Sequence, residues 1–343
     1  MYDYIIVTHI PAFYKVNLYN ELVKKLKILV VFIATNTNEK RADDFTTLKN
    51  ANFSYEVLSD GYFQTRNVLS NIKRIKTILK NNQYKRLLVS GWDLKEFWYL
   101  VMLYPKSKNY LALESTILES TPKGIKGWIK KVFSSRIATV FASGNLHVEL
   151  LKALSFKGNI KITKGVGIIN KPTFKKVKKE YQKRFLYVGR LSRVKNLEIL
   201  IRVFNDLPNH HLTIIGDGEE KEYLKSIANQ NVSFKPPIEN IKLQNEFLNH
   251  DIFILPSISE SWGIVVEEAL YFGLPVMVSK NCGSVELVKS GENGYVFEPF
   301  DSEEIKSLVL GIGDVVYQKL VVGVSRFSVD EKDFGQAVSY DIK

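Results

Sequence analysis

The sequence predicts two doubly wound α/β domains, each built on a parallel sheet covered by helices on both faces. Three observations carry the prediction. Short apolar, β-branched-rich runs alternate with helix-length segments along the whole chain, the order that β-α-β units require. The chain has 343 residues, enough for about two domains of roughly 150 residues each. Its net charge of +12 is shared unevenly, at +14 over 1–170, +6 over 171–184 and −8 beyond. Such asymmetry reads as two separate bodies.

The strand candidates in the first half are 4–8, 28–33, 87–90, 110–113, 139–142 and 160–163. Those in the second are 185–188, 212–215, 232–234, 252–255, 275–279 and 295–297. They are near-continuous in apolar character rather than alternating, as strands buried on both faces must be. Between the halves, 171–184 is charged, contains Pro172 and has no apolar period, so it reads as a linker. The expected division is a first domain over 1–170, a linker over 171–184 and a second domain over 185–325. Residues 326–343 are expected to cross back to the first domain.

Composition removes several classes. Apolar residues at 45% and charged residues at 24% exclude wholesale disorder. A lone cysteine, Cys282, excludes an internal disulfide and any multi-cysteine zinc site. The longest apolar stretches, 28–34 and 97–104, fall far short of the roughly 18 residues that span a bilayer. The opening Met1-Tyr2-Asp3 has no basic lead-in, so no signal peptide is expected. These readings point to a cytoplasmic protein, or one that lies peripherally on the inner face of a membrane. The basic first half suits an anionic partner: nucleic acid, acidic lipid or a phosphorylated substrate. Basic residues that merely solubilise a surface would give the same count.

Doubly wound sheets bind ligands on the loops at the carboxyl ends of their strands. The first of these loops, Thr8-His9-Ile10-Pro11-Ala12-Phe13, has no glycine and is no dinucleotide fingerprint. The second half says more. After 185–188 comes Gly189-Arg190-Leu191-Ser192-Arg193-Val194-Lys195-Asn196, where a glycine permits a turn and two cations flank a helix start near Asn196. That is a good diphosphate site, although an ordinary turn with solvated cations would look alike. After 252–255 comes Pro256-Ser257-Ile258-Ser259-Glu260-Ser261-Trp262-Gly263 and a helix over 264–272, stopped by Gly273 and Pro275. Backbone N–H groups around Gly263, Ile264 and Val265 are free to meet a ligand. A carboxylate beside a phosphate site repels phosphate; its natural task is to accept hydrogen bonds from sugar or ribose hydroxyls. Glu267 and Glu268 are adjacent, about 100° apart on a helix, so only one of them can face the site squarely.

These segments, with Gly216-Asp217-Gly218-Glu219, Gly273-Leu274-Pro275-Val276, Gly283-Ser284-Val285-Glu286-Leu287-Val288 and Asn293-Gly294, resemble the retaining, GT-B-fold glycosyltransferases of family 4. The resemblance is dense over 185–300 and loose before it. It implies a transferase that uses a nucleotide-diphosphate sugar and needs neither cofactor nor metal. The family's glutamate pair, with seven residues between, falls on Glu260 and Glu268. Glu268 is then expected to hold the ribose, and Glu260 with Ser261, Trp262, Gly263, Ile264 and Val265 the transferred sugar. Gly189, Arg190 and Lys195 are expected at the diphosphate, Gly216 where a loop approaches the donor, and Phe234 and Lys235 beside the nucleobase. Many members carry a glycine pair in the first loop, where this chain has Thr8–Phe13, and a glycine where it has Lys235-Pro236.

No Asp-x-Asp motif or His/carboxylate cluster has metal-ligand spacing. On the acceptor side, His9 and Glu114 follow strand candidates and are expected near the ligand edge, His9 equally as a satisfied structural histidine. Over 124–137, Ile125, Trp128, Ile129, Val132, Phe133 and Ile137 form one stripe, with Lys123, Lys126, Lys130 and Lys131 largely off it. This reads as a core-packed helix with a basic outer face or as a membrane-surface helix, and both hold if the stripe faces the sheet and the lysines face lipid headgroups. The acceptor expected is a glycan or lipid-linked glycan of surface polysaccharide or lipopolysaccharide synthesis. A nucleotide-sugar 2-epimerase shares the architecture and is the nearest competing enzyme. A nucleic-acid binder is disfavoured by the acidic second half and by the lack of any recognition motif.

Overall fold

Seven parallel strands form the first sheet: β1 Tyr2–Thr8, β2 Ile28–Phe32, β3 Ser54–Val57, β4 Tyr84–Val89, β5 Asn109–Leu113, β6 Thr139–Ala142 and β7 Asn159–Ile162. Their order across the sheet is β3-β2-β1-β4-β5-β6-β7. Six more form the second: β8 Arg184–Val188, β9 His211–Ile215, β10 Val232–Lys235, β11 Ile252–Leu255, β12 Val276–Ser279 and β13 Gly294–Phe297. These run β10-β9-β8-β11-β12-β13. The structure, a computed structural model, describes residues 1–39, 41–175 and 180–341.

The chain divides into two units. The first holds 1–39, 44–168 and the chain from 332 on; the second holds 169–331 with 41–43. Of the expected linker 171–184, residues 176–179 lie outside the described residues. Its preceding part packs on the second unit: Tyr271 Oη donates to the Pro172 carbonyl at 3.0 Å, and the Phe174 ring lies 5.4 Å from Tyr271 and 5.1 Å from Phe272.

Alternation along buried strands explains the first unit's core. Ile5, Val7, Val31, Val89 and Leu111 face one side, with Ile75, Phe97 and Phe133 from the helices. Tyr4, Ile6, Val30, Leu88 and Phe141 face the other, with Val16, Tyr19 and Tyr340. The C-terminal Tyr340 closes that second layer, stacking on Phe141 at 4.2 Å and accepting a 2.8 Å hydrogen bond from Tyr4 Oη at its carbonyl.

Two departures from the sequence reading have physical causes. The strand β3 has no counterpart among the expected runs, because Ser-Tyr-Glu-Val lies on a sheet edge and is largely exposed, so it carries little apolar signal. The helix Gly124–Ser135 is the second. Its stripe does not face the sheet as a whole: Phe133 and Ile137 are buried, whereas Ile125, Trp128 and Ile129 are exposed. The inward side is instead Gly127, Phe133 and Ser134.

Each sheet reverses its winding direction once, between β1 and β4 in the first and between β8 and β11 in the second. Loops diverge at such a point and leave a crevice beyond the carboxyl ends of the strands.

Candidate active site

In the second unit the loops after β8 and β9 are stitched together. The Gly189 N–H donates to the Ile215 carbonyl at 3.0 Å and the Leu191 N–H to the Asp217 carbonyl at 2.9 Å. A Cβ on Gly216 would sit 1.9 Å from the Gly189 carbonyl oxygen. The smallness of Gly216 is therefore spent on contact between the two loops. Arg190 is exposed, and its carbonyl accepts a 2.9 Å hydrogen bond from the buried Tyr187 hydroxyl. The turn Arg193–Lys195 follows, then Asn196 in the left-handed conformation, then the helix Leu197–Asn205. Asn196 Nδ2 donates to the Pro256 and Pro299 carbonyls at 3.3 and 2.5 Å, which fixes where this loop meets the one after β11.

That second loop crosses the reversal point. The Ile258 N–H donates to the Val194 carbonyl at 2.8 Å, and the Glu260 N–H to the Asn281 carbonyl at 3.1 Å. The Lys195 ammonium and the Glu260 carboxylate form an ion pair, each side chain mostly but not wholly withdrawn from solvent. The chain then turns through Gly263 at φ +85°, where a Cβ would lie 3.0 Å from Leu255 Cδ2 and 3.2 Å from Glu260 Cγ. Only glycine meets both conditions. The helix Ile264–Tyr271 begins there, and its first N–H groups, at Ile264 and Val265, have no carbonyl of their own helix to reach. Ser261 and Trp262 lead into it, with the Trp262 carbonyl accepting from the Ser284 N–H at 2.8 Å. Close by, the buried hydroxyls of Ser259 and Ser284 have no hydrogen-bond partner.

The adjacent glutamates point to different neighbours. Glu267 is fully buried and accepts the indole N–H of buried Trp262. Glu268 accepts a 2.6 Å hydrogen bond from Asn240 Nδ2, and Asn240 Oδ1 accepts one from Asn170 Nδ2 at 2.7 Å. Asn240 opens the turn Asn240–Lys242, five residues after Lys235 at the end of β10. A chain of amides thus ties Glu268 to the loop that leaves β10. Sequence reasoning found neither asparagine, since an isolated Asn in a loop carries no spacing signal. Phe234 is half-buried, and the Lys235 ammonium is pinned to both Glu246 oxygens at 2.8 Å.

The first unit has its own pairs at the carboxyl edge of its sheet. His9 Nε2 donates to Asp93 Oδ2 at 2.8 Å, bridging the loops after β1 and β4. Its ring packs against Phe97 at 5.2 Å and Phe63 at 5.4 Å. Burial pushes the Asp93 carboxyl up, but the His9 hydrogen bond and charge outweigh it and hold the group below its usual value. Glu114, just past β5 and 37% exposed, pairs at 2.7 Å with the buried Lys15. Burial alone would lower the Lys15 ammonium; the Glu114 charge reverses that and keeps it protonated. His147 is buried with neither ring nitrogen in a well-formed hydrogen bond; desolvation, offset only in part by the Glu114 charge and the backbone at Glu114 and Gly144, pulls it down to about 4. Lys15, Asp93 and His147 are additions from the structure. The partners of Lys15 and Asp93 lie far off in sequence, so no motif announces them. Among the described residues no group of three His, Cys, Asp or Glu side chains could hold a metal ion.

Known proteins bear on this geometry. Residues 169–312 match the family Glycosyl transferases group 1. The Arabidopsis thaliana sulfoquinovosyl transferase SQD2 is 33% identical over 123 residues, 35% of this chain and 24% of that protein. The next two curated relatives are matched over 42% and 46% of their lengths. An uncharacterized 41.2 kDa protein in the cps region of Klebsiella pneumoniae is 28% identical over 270 residues, 71% of this chain and 74% of that protein. The Anabaena protein Alr3699/HepE, solved in complex with UDP-glucose, superposes with a TM-score of 0.70 over 98% of both chains at 17% identity. At that identity the likeness establishes the fold, two parallel sheets in the GT-B arrangement.

Proposed function

We propose that this chain, which belongs through residues 169–312 to the glycosyl transferases group 1 family, is a retaining glycosyltransferase. It takes a sugar from a nucleotide-diphosphate donor and gives it to a glycan or lipid-linked glycan. The observation that carries the reading is the Lys195–Glu260 pair at the reversal point of the second sheet. It sets a cation suited to a leaving diphosphate against a carboxylate suited to sugar hydroxyls. The solved HepE complex with UDP-glucose supports a UDP-sugar as the first donor to try.

In this reading the donor's diphosphate takes the Lys195 ammonium from Glu260, and Arg190 joins it. Glu260 is then free to accept hydroxyls of the transferred sugar, beside the N–H groups of Ser261 to Val265. Glu268 accepts the ribose hydroxyls, with Phe234 and the Lys235 backbone beside the base. The bond from the anomeric carbon to the diphosphate oxygen breaks while the acceptor oxygen attacks from the same face. The acceptor proton passes to the departing diphosphate oxygen. Positioning and charge stabilisation do the work, so no enzyme nucleophile is required. His9 and Glu114 serve the acceptor side. The basic first half and the cps-region relative support an acceptor in surface polysaccharide or lipopolysaccharide assembly, met at the inner face of a membrane.

Calorimetry against UDP, GDP and ADP, followed by NMR of sugar transfer with and without EDTA, tests the reading. Binding of one diphosphate and a product that keeps the donor's anomeric configuration are expected, with turnover persisting in EDTA. No binding of any of the three, or an epimerised nucleotide sugar formed without acceptor, would overturn it.

A further inference from the structure

The helix Gly124–Ser135 is packed inside out. A helix in a doubly wound domain normally turns its widest apolar stripe to the sheet. Here the packed side is Gly127, Phe133 and Ser134, and it packs closely: a Cβ on Gly127 would lie 2.0 Å from the Pro122 carbonyl oxygen. The apolar side chains one helical turn apart on the other side stand in solvent, Ile125 at 79%, Trp128 at 65% and Ile129 at 40% exposure. The end of the helix Lys95–Leu103 adds exposed Leu103 and is tied to it through Arg136, whose Nη2 donates to the Met102 carbonyl at 3.4 Å. An apolar ridge of this size on a monomer marks a surface that something else covers.

The surrounding charge says what covers it. Between 102 and 136 the sequence has seven Lys or Arg against two Glu, and one of those, Glu114, is paired with buried Lys15. Lys123, Lys126 and Lys131 are exposed beside the ridge. Lys130 Nζ donates to the Thr121 carbonyl at 3.1 Å and lies 5.8 Å from the Trp92 ring. Partial burial lowers its ammonium, and the neighbouring Lys126 charge adds to that. A second copy of the chain is a poor occupant, because a two-fold contact would set these lysines against their own copies. An anionic bilayer meets both demands. Tryptophan and isoleucine sink to the headgroup boundary while lysines reach back to the phosphates.

We propose that Ile125, Trp128 and Ile129 insert into an anionic membrane, with Lys123, Lys126 and Lys131 on its headgroups, and that the helix lies in the plane of the surface. This rests on the lipid-linked acceptor reading for its purpose, while its geometry is that of the first unit alone. No single helix among the described residues is long and apolar enough to cross a membrane.

The test is co-sedimentation with vesicles of phosphatidylcholine alone and with phosphatidylglycerol added, at low and high salt. Binding is expected only to the anionic vesicles and falls as salt rises. I125S/W128S, which leaves every charge in place, is expected to weaken vesicle affinity about tenfold or more. K126E/K131E should weaken it by at least about fivefold per lysine. Tryptophan emission should shift to the blue on binding in the wild type and not in W128F. Equal recovery on both vesicle types, no binding to either, or binding untouched in I125S/W128S would each overturn the proposal. So would a dimer in solution that I125S/W128S dissolves. Nucleoside diphosphate affinity is measured on the same samples. If it is intact while vesicles fail, only the membrane proposal falls; if it is absent while vesicles bind, only the donor reading falls.

Discussion

The two sheets reverse at the same kind of place and furnish it differently. At the β8/β11 reversal, Lys195 meets Glu260, both side chains keeping some access to solvent, with exposed Arg190 nearby. At the β1/β4 reversal, His9 meets Asp93 between two phenylalanine rings, and the neighbouring Glu114 carboxylate is balanced by a lysine sunk in the core. The second sheet offers cations that a ligand can claim. The first offers carboxylates already paired, one to a part-exposed histidine and one to a lysine sunk in the core. One edge is suited to a phosphate, the other to hydroxyls.

The largest expected effect lies at the second reversal. Lys195→Ala removes the cation on the departing diphosphate and should lower transfer by about 10²- to 10³-fold, the usual cost of losing one preorganised charge-stabilising group. Arg190→Ala, at an exposed side chain, should cost less, about tenfold. Steady-state rates with a UDP-sugar check both. Unchanged turnover in Lys195→Ala would erase the contrast between the edges.

The next effect belongs to the first unit and to acid. Buried His147 makes no well-formed hydrogen bond, and the backbone at Glu114 and Gly144 offsets its burial only in part, whereas buried His250 in the second unit engages the Glu246 carbonyl at 2.7 Å and Thr213 Oγ1 at 2.9 Å. Desolvation lowers His147 from 6.5 to about 4, so below pH 6.5 the unfolded chain binds the extra proton. Stability from this group is therefore complete above pH 6.5 and drains away as pH falls towards 4, by about 3 kcal/mol in all. Urea unfolding at pH 7 and pH 5 should show a shallower acid loss in His147→Gln than in the wild type. An identical slope would mean that His147 is not the group that takes up the proton.

A smaller effect separates the adjacent glutamates and brings in Asn240. Glu268→Gln should weaken nucleotide binding more than Glu267→Gln, whose cost falls on stability, about 1–2 kcal/mol, through the Trp262 indole. Asn240→Ala, which removes a donor to the Glu268 carboxylate, should weaken the nucleoside diphosphate about tenfold. The loss should vanish with its 2′,3′-dideoxy analogue, because Asn240 acts only through the ribose contact. Equal losses with both ligands would make Asn240 a plain structural residue. If Glu267 proved the sensitive glutamate for binding, the register of the helix Ile264–Tyr271 on its ligand would be off by one.

Legibility in the sequence followed the same divide. Buried parallel strands announce themselves, and every expected run became a strand; the missing one, β3, is an exposed edge with little apolar content. In the second unit each loop of the proposed donor site carries its own signal: a glycine forced by close approach at Gly216 or by a left-handed turn at Gly263, next to a charge at a helix start. The Asn170–Asn240–Glu268 chain was silent because amides occur in any loop. In the first unit the pairs join residues about a hundred or fewer positions apart with nothing local to mark them, His9 with Asp93 and Lys15 with Glu114. The orientation of the helix Gly124–Ser135 was misread for another reason. Periodicity gives the stripe but not the side it takes, and here Phe133 and Ser134 turn inward while Ile125 and Trp128 do not.

The smallest effect expected is at Glu114, and it tests the first unit's side of the comparison most directly. Lys15 is buried and cannot turn to a ligand, so its ammonium serves to hold the Glu114 carboxylate in place. Glu114→Gln keeps the shape and gives up the charge, leaving the ammonium a weaker acceptor at the same place. Nucleoside diphosphate affinity should not change, since every donor contact proposed lies in the second unit. Transfer should fall only a few-fold, about what one charge-assisted hydrogen bond to a hydroxyl contributes at a partly solvated site. Calorimetry with UDP set beside rates of transfer separates the two quantities. A loss of UDP affinity in Glu114→Gln would mean that the carboxylate serves the donor, and the division of labour between the two edges would have to be redrawn.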